Sequence, residues 1–130
     1  MDKETILKTF NDHFSEFMKD VQNVFPDNVD IATAKKAINQ VITLMPKMLI
    51  KIFKDNFVDK YKAAITLGDL AFFTEVDYST DLRGVDDANQ LMKKIDCLRQ
   101  PVKDMSPTNQ AKVVKYMQNL AKLSEMYKAM

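Results

Sequence analysis

One imidazole and one thiol hold most of the reactive chemistry in this sequence. His13 and Cys97 are single copies of their types, and there is no Trp. A lone imidazole cannot fill a metal shell, and as a general base it needs a group to orient it. Asp12 and Glu16 beside His13 make an ordinary helix-surface constellation, so His13 reads as a residue at the edge of an apolar stripe. Cys97 would need an activating base to serve as a nucleophile, and none is identifiable. It falls on its helix opposite Leu91 and Ile95, which predicts a partly exposed, incidental thiol. Lys93 and Lys94 one turn back are expected to lower its pKa slightly.

Asp77, Ser79 and Asp81 have the first, third and fifth positions of a calcium loop. The sharp-turn Gly is replaced by Leu82 and the bidentate Glu by Ala88, so the segment reads as an ordinary hydrogen-bonded loop. No Gly-rich phosphate loop, nucleophile elbow, His-Glu-x-x-His or paired-Cys motif occurs. The expectation is a chain with no catalytic, cofactor or metal site.

The charge arrangement says more than the formal total of +1. Residues 1–30 carry 3 basic and 7 acidic side chains, and residues 31–68 carry 7 and 2. Residues 69–92 carry 1 and 6, and residues 93–130 carry 8 and 3. Either the acidic and basic segments pack side by side and neutralise each other, or they leave charged faces that self-associate or dock a charged partner. Two basic stripes are the candidate interaction residues. Lys47, Lys51 and Lys54 lie opposite Leu49 and Phe53 on one helix. Lys115 and Lys122 share the outer face of the last helix. Lysines of this kind also serve phosphate backbones. Arg83 and Arg99, the only arginines, lie outside both stripes, and no aromatic-and-basic platform accompanies them.

These residues must be held by helices. Ile6, Phe10, Phe14, Phe17, Val21 and Val24 recur at spacings of 3 and 4 and predict a helix over about 3–25, flanked by Leu7, Met18 and Phe25. Pro26 stops it, and Asp30 is the expected N-cap of a second helix over about 31–44. Pro46 either opens a third helix over about 46–67 or kinks one continuous helix. That third helix has Leu49, Ile52, Phe53, Phe57, Ala64 and Leu67 on one side and Met48, Ile50, Val58 and Ile65 on others. A helix apolar nearly all round is central or has a second partner. Gly68 suits a helix end that needs positive φ. Asp69 caps a short helix through Phe73, and a loop follows to Gly84. A fourth long helix over about 85–99 aligns Ala88, Leu91, Met92, Ile95 and Leu98, with Pro101 near its end. Ser106-Pro107 starts the last helix, which runs to about 128 with Val113, Tyr116, Met117, Leu120, Leu123 and Tyr127 on one face. The expected fold is all-α: one domain spanning 1–130, a compact bundle of about five long helices plus one short helix.

Two Gly and four Pro leave few breakers, in keeping with long helices. The lone cysteine rules out an internal disulfide and points to a reducing compartment. No apolar run approaches the roughly 20 residues a bilayer requires, so no membrane partner is expected. The charged start, Met1 to Glu4, does not resemble a secretory signal, and neither a myristoylation nor a prenylation motif is present.

Three stretches taken together resemble a family. The first is Phe10-Asn11-Asp12-His13-Phe14-Ser15-Glu16-Phe17, continuing through Asn23 to Ile31. The second is Gly68-Asp69-Leu70-Ala71-Phe72-Phe73 with Asp77 to Asp81, and the third is Lys115 to Leu123 followed by Tyr127. They resemble small all-helical proteins of nucleocytoplasmic large DNA viruses, of the algal-virus and mimivirus-like group. The resemblance spans most of the chain and has no catalytic signature. What it implies is a setting, the host cytoplasm (a viral factory) or the virion, and no activity. The expected role is a non-enzymatic structural or protein-interaction component, such as a minor virion protein, with viral proteins or other copies of itself as partners. The alternatives are a nucleic-acid-associated viral factor using the Lys faces and an intracellular modulator that binds a host helix in a groove.

Overall fold

The structure, a computed structural model, describes residues 2–74 and 87–129. All regular structure among the described residues is helical, so the chain is all-α. The order is α1 (Lys3–Val24), α2 (Val29–Leu44), α3 (Met48–Phe53), a π turn (Lys54–Val58), α4 (Asp59–Leu67), α5 (Ala71–Thr74), α6 (Asp87–Asp96), α7 (Arg99–Asp104) and α8 (Pro107–Ala129). Helix α3, the π turn and α4 run on as one rod, bent at Tyr61, whose φ of −129° and ψ of 28° leave the helical region. The loop from Asp77 to Asp81, with its calcium-like spacing, and Arg83-Gly84 lie outside the described residues.

Helix α1 shows how the pattern becomes structure. Asp2 caps it by accepting the Thr5 amide at 2.7 Å. Its stripe then buries Phe10, Phe14 and Phe17 to 1% exposure or less. Their rings continue into the central rod, with Phe10 edge-on to Phe53 at 5.7 Å, Phe53 on Phe57 at 5.3 Å and Phe57 on Phe73 at 6.1 Å. Full burial stabilises each such side chain by roughly 1.5–3 kcal/mol over exposure, and paired rings add more. The rod touches α1, α2, α6 and α8, so the helix that is apolar nearly all round is indeed central.

Several expectations need correction. Val24, placed on the buried stripe, is exposed where α1 ends. The cap of α2 is Asn28, whose Oδ1 accepts from the Ile31 amide, and Asp30 sits inside the first turn. An Asx side chain caps an amide three residues on, and Asn28 lies one turn before the first buried residue, Ile31. Pro46 neither opens the next helix nor kinks a continuous one. It lies in a turn closed by the Met48 amide on the Met45 carbonyl, and buried Asn11 of α1 donates to the Pro46 carbonyl at 3.0 Å. The fourth helix stops at Asp96, and a separate short helix, α7, holds Pro101 in its first turn, where the missing amide costs no helical bond.

The remaining ends follow the sequence signals. Gly68 ends α4 at φ +76°, with its amide on the Ile65 carbonyl and that of Asp69 on the Ala64 carbonyl. Asp69 accepts the Ala71 amide at the start of α5, and Ser106 accepts the Asn109 amide at the start of α8. Helix α8 also closes two other helices. Gln118 donates to the Ile65 and Thr66 carbonyls, and Gln110 to those of Val102 and Lys103.

Candidate functional site

The first lysine stripe lies in a groove. Ile50 is buried at its base, which turns Lys47, Lys51 and Lys54 outward along the start of the central rod. The start of α1 contributes Lys3, and the last turn of α8 contributes Tyr127 and Lys128. Together with Asp55 and the buried Ser124 they line a cleft of about 410 Å³. Among the described residues, five lysines from three separated stretches of chain therefore line one cleft that has a single carboxylate in its wall. Lys54 and Asp55 belong to the π turn. Such turns interrupt the regular ladder and recur at functional sites.

The five lysines are not equally committed. Lys54 is ion-paired to Asp59, and that bond holds the Asp59 carboxyl below the usual carboxylate range, with Lys128 adding through space. Lys3 sits over the Tyr127 ring at 4.7 Å, a cation–π contact. Lys47, Lys51 and Lys128 have no hydrogen-bonded or ion-paired partner among the described residues. Ser124 donates its hydroxyl hydrogen to the Ala121 carbonyl at 2.7 Å, so it is spent on its own helix.

The second stripe is divided. Lys122 lines another groove, of about 490 Å³, between α4 and α8, where Lys62 pairs with Glu125 at 3.0 Å. Lys115 is exposed on open helix surface. The five lysines singled out in the sequence are thus three in one groove, one in another and one on neither. Lys3, Lys128 and Tyr127 complete the first groove, and local spacing pointed to none of them. Their positions at the two ends of the chain's helical core come together only through the packing of α8 on α1.

The ion pairs of the first acidic segment stay local among the described residues. Lys8 pairs with Asp12, and His13 lies 3.9 Å from Glu16, all within α1. Lys62–Glu125 joins two of the basic segments. Among the described residues, no ion pair joins acidic residues 1–30 to a basic stretch.

His13 is half-buried beside its stripe, with its ring 4.8 Å from that of Tyr116. Its Nε2 is buried with no hydrogen-bond partner among the described residues. The Tyr116 hydroxyl donates to Asp20, which ties α8 to α1. Partial burial, with the Asp20 carboxylate next, pushes this phenol far above its ordinary value. Cys97 is an exposed residue, but its thiol departs from the expected direction. Desolvation of the sulfur and the carboxylates of Asp30 and Asp96 push its pKa up, outweighing Lys94. The long-range carboxylate of Asp30, brought in by α2 packing on α6, is what local spacing could not reveal.

Among the described residues, no three His, Cys, Asp or Glu side chains are grouped to hold a metal ion, and no helix is long and apolar enough to cross a membrane. Comparison with protein-family models, with curated proteins and with solved structures gives no match.

Proposed function

We propose that this chain is a non-enzymatic interaction protein that docks an acidic surface of a partner protein in the lysine groove. One observation carries the reading: Lys47, Lys51 and Lys128 converge on one cleft and have no partner of their own among the described residues. Three like charges brought together repel, so a fold that gathers and does not neutralise them is suited to an external anion. The half-buried Tyr127 offers such a partner contact area beyond charge. The resemblance to large-DNA-virus proteins supports a viral factory or a virion as the setting, with viral proteins or another copy of this chain as the partner.

The experiment is quantitative mass spectrometry of purified virions after carbodiimide cross-linking, which joins lysine amines to carboxylates, with a capsid protein as the internal standard. Fixed stoichiometry, with cross-links from Lys47, Lys51 or Lys128 to an acidic segment of another polypeptide, is the expected result. A chain that stays monomeric and forms only internal cross-links in particles and in infected cells would rule the reading out.

The same unpaired ammonium groups favour one second reading, a nucleic-acid-associated factor. Its mark would be duplex binding that weakens steeply and log-linearly with salt through counterion release. Lys115 and Lys122 lie outside the groove, so they do not extend it into a continuous backbone track.

A further inference from the structure

The cationic groups that line the groove among the described residues are all ammonium groups. Among the described residues no guanidinium lines it, and the Ser124 hydroxyl is already committed to a carbonyl. The planar fork of Arg matches carboxylate and phosphate alike, so its absence does not choose between them. A lysine ammonium is a compact point charge that matches phosphate as well as it matches anything. The demand for charge is also concentrated. Lys47, Lys51 and Lys128 all lack partners among the described residues around a cleft of about 410 Å³. A peptide supplies at most one carboxylate charge per residue, spread along its length. A phosphate monoester brings about −1.5 to −2 and three strong acceptor oxygens to one point.

We infer that the cleft is a phosphate-recognition site that takes a phosphorylated side chain of the docked partner protein. This rests on the acidic-docking reading above and adds the chemistry of the group recognised. The size of the cleft decides between sources of phosphate. A cleft of about 410 Å³ is much larger than one phosphate group, and it leaves room beside Tyr127 for the residue that carries the phosphate and its neighbours. The cleft is local and the other lysine stripe lies elsewhere, which disfavours a polymer backbone tracking across the surface.

The test is calorimetric titration of the whole chain with four probes. These are a short acidic peptide with two phosphoserines, its twin with Glu at both positions, inorganic pyrophosphate and a short DNA duplex. The expected result is that the phosphopeptide binds at least about tenfold more tightly than the Glu twin. Lys47→Gln/Lys51→Gln/Lys128→Gln should abolish that preference, and Lys115→Gln/Lys122→Gln should retain it. Circular dichroism of each variant verifies that the fold is intact. Equal binding of the two peptides overturns the phosphate inference and leaves acidic docking standing. If neither peptide binds, both fall. Pyrophosphate or duplex binding as tightly as the phosphopeptide overturns the protein segment as the occupant.

Discussion

Two side chains have chemistry that the fold sets by long-range contact. Cys97 is accessible yet its thiol pKa is pushed up, by desolvation first and by the Asp30 carboxylate second. The thiolate is the reactive form. Alkylation of Cys97 at pH 8 should therefore be slower than that of a free cysteine, and Asp30→Asn should speed it. Iodoacetamide kinetics followed by mass spectrometry tests this, and an Asp30→Asn rate equal to the parent's would remove the electrostatic part of the account. Tyr116 gives a stability prediction with a defined sign. Its phenol is raised above the ordinary value of 10.0 by burial first and by Asp20 second, so the folded chain holds this proton more tightly than the unfolded chain does. Its contribution is full below about pH 10 and is lost as pH rises above that value. Tyr116→Phe should lower the urea midpoint at neutral pH and flatten its decline between pH 9 and 11. Parallel declines in parent and variant would contradict the linkage.

At the scale of elements, the period of 3.6 made most of the stripes legible, because each helix buries one face and no strand competes among the described residues. The central rod is where that reading fails. A regular helix through residues 48–67 puts Leu67 on the same side as Leu49 and Phe57, yet Leu67 is 83% exposed and Ile65 only 4%. The π turn at Lys54–Val58 inserts one extra residue into the turn. Everything after it is rotated backward by about 100° relative to a regular helix. That rotation, together with the non-helical backbone at Tyr61, carries Leu67 out to solvent and brings Ile65 in. Sequence period cannot reveal such an insertion, since Asp55 and Asn56 suit an α-helical surface as well as a π turn. The consequence is measurable in two substitutions. Ile65→Ala should cost about 2–5 kcal/mol, whereas Leu67→Lys should lie within about 0.5 kcal/mol of the parent. Urea unfolding of both decides it, and the reverse order of costs would mean that the rod continues as a regular α-helix.

At the scale of the whole molecule, the site was half legible. Lys47, Lys51 and Lys54 share a face by spacing alone, but the groove exists because α8 returns along α1 and sets Lys128 and Tyr127 beside Lys3. No local pattern contains that return. The same convergence makes a prediction about the free protein that needs no ligand. Gathering unpaired ammonium groups destabilises the fold by repulsion, and binding sites commonly sacrifice stability in this way. Lys47→Gln/Lys51→Gln/Lys128→Gln should therefore raise the thermal midpoint at low salt. The gain should shrink as salt rises, since the screening length falls from about 30 Å at 0.01 M to about 3 Å at 1 M. Lys115→Gln/Lys122→Gln is the control, because those two side chains do not share a cleft and Lys122 faces Glu125 and Lys62. It should leave the midpoint and its salt dependence unchanged. A triple variant whose midpoint does not rise would show that the three ammonium groups do not feel one another. The groove would then be three separate solvated lysines, and the argument that it waits for a concentrated negative charge would lose its footing.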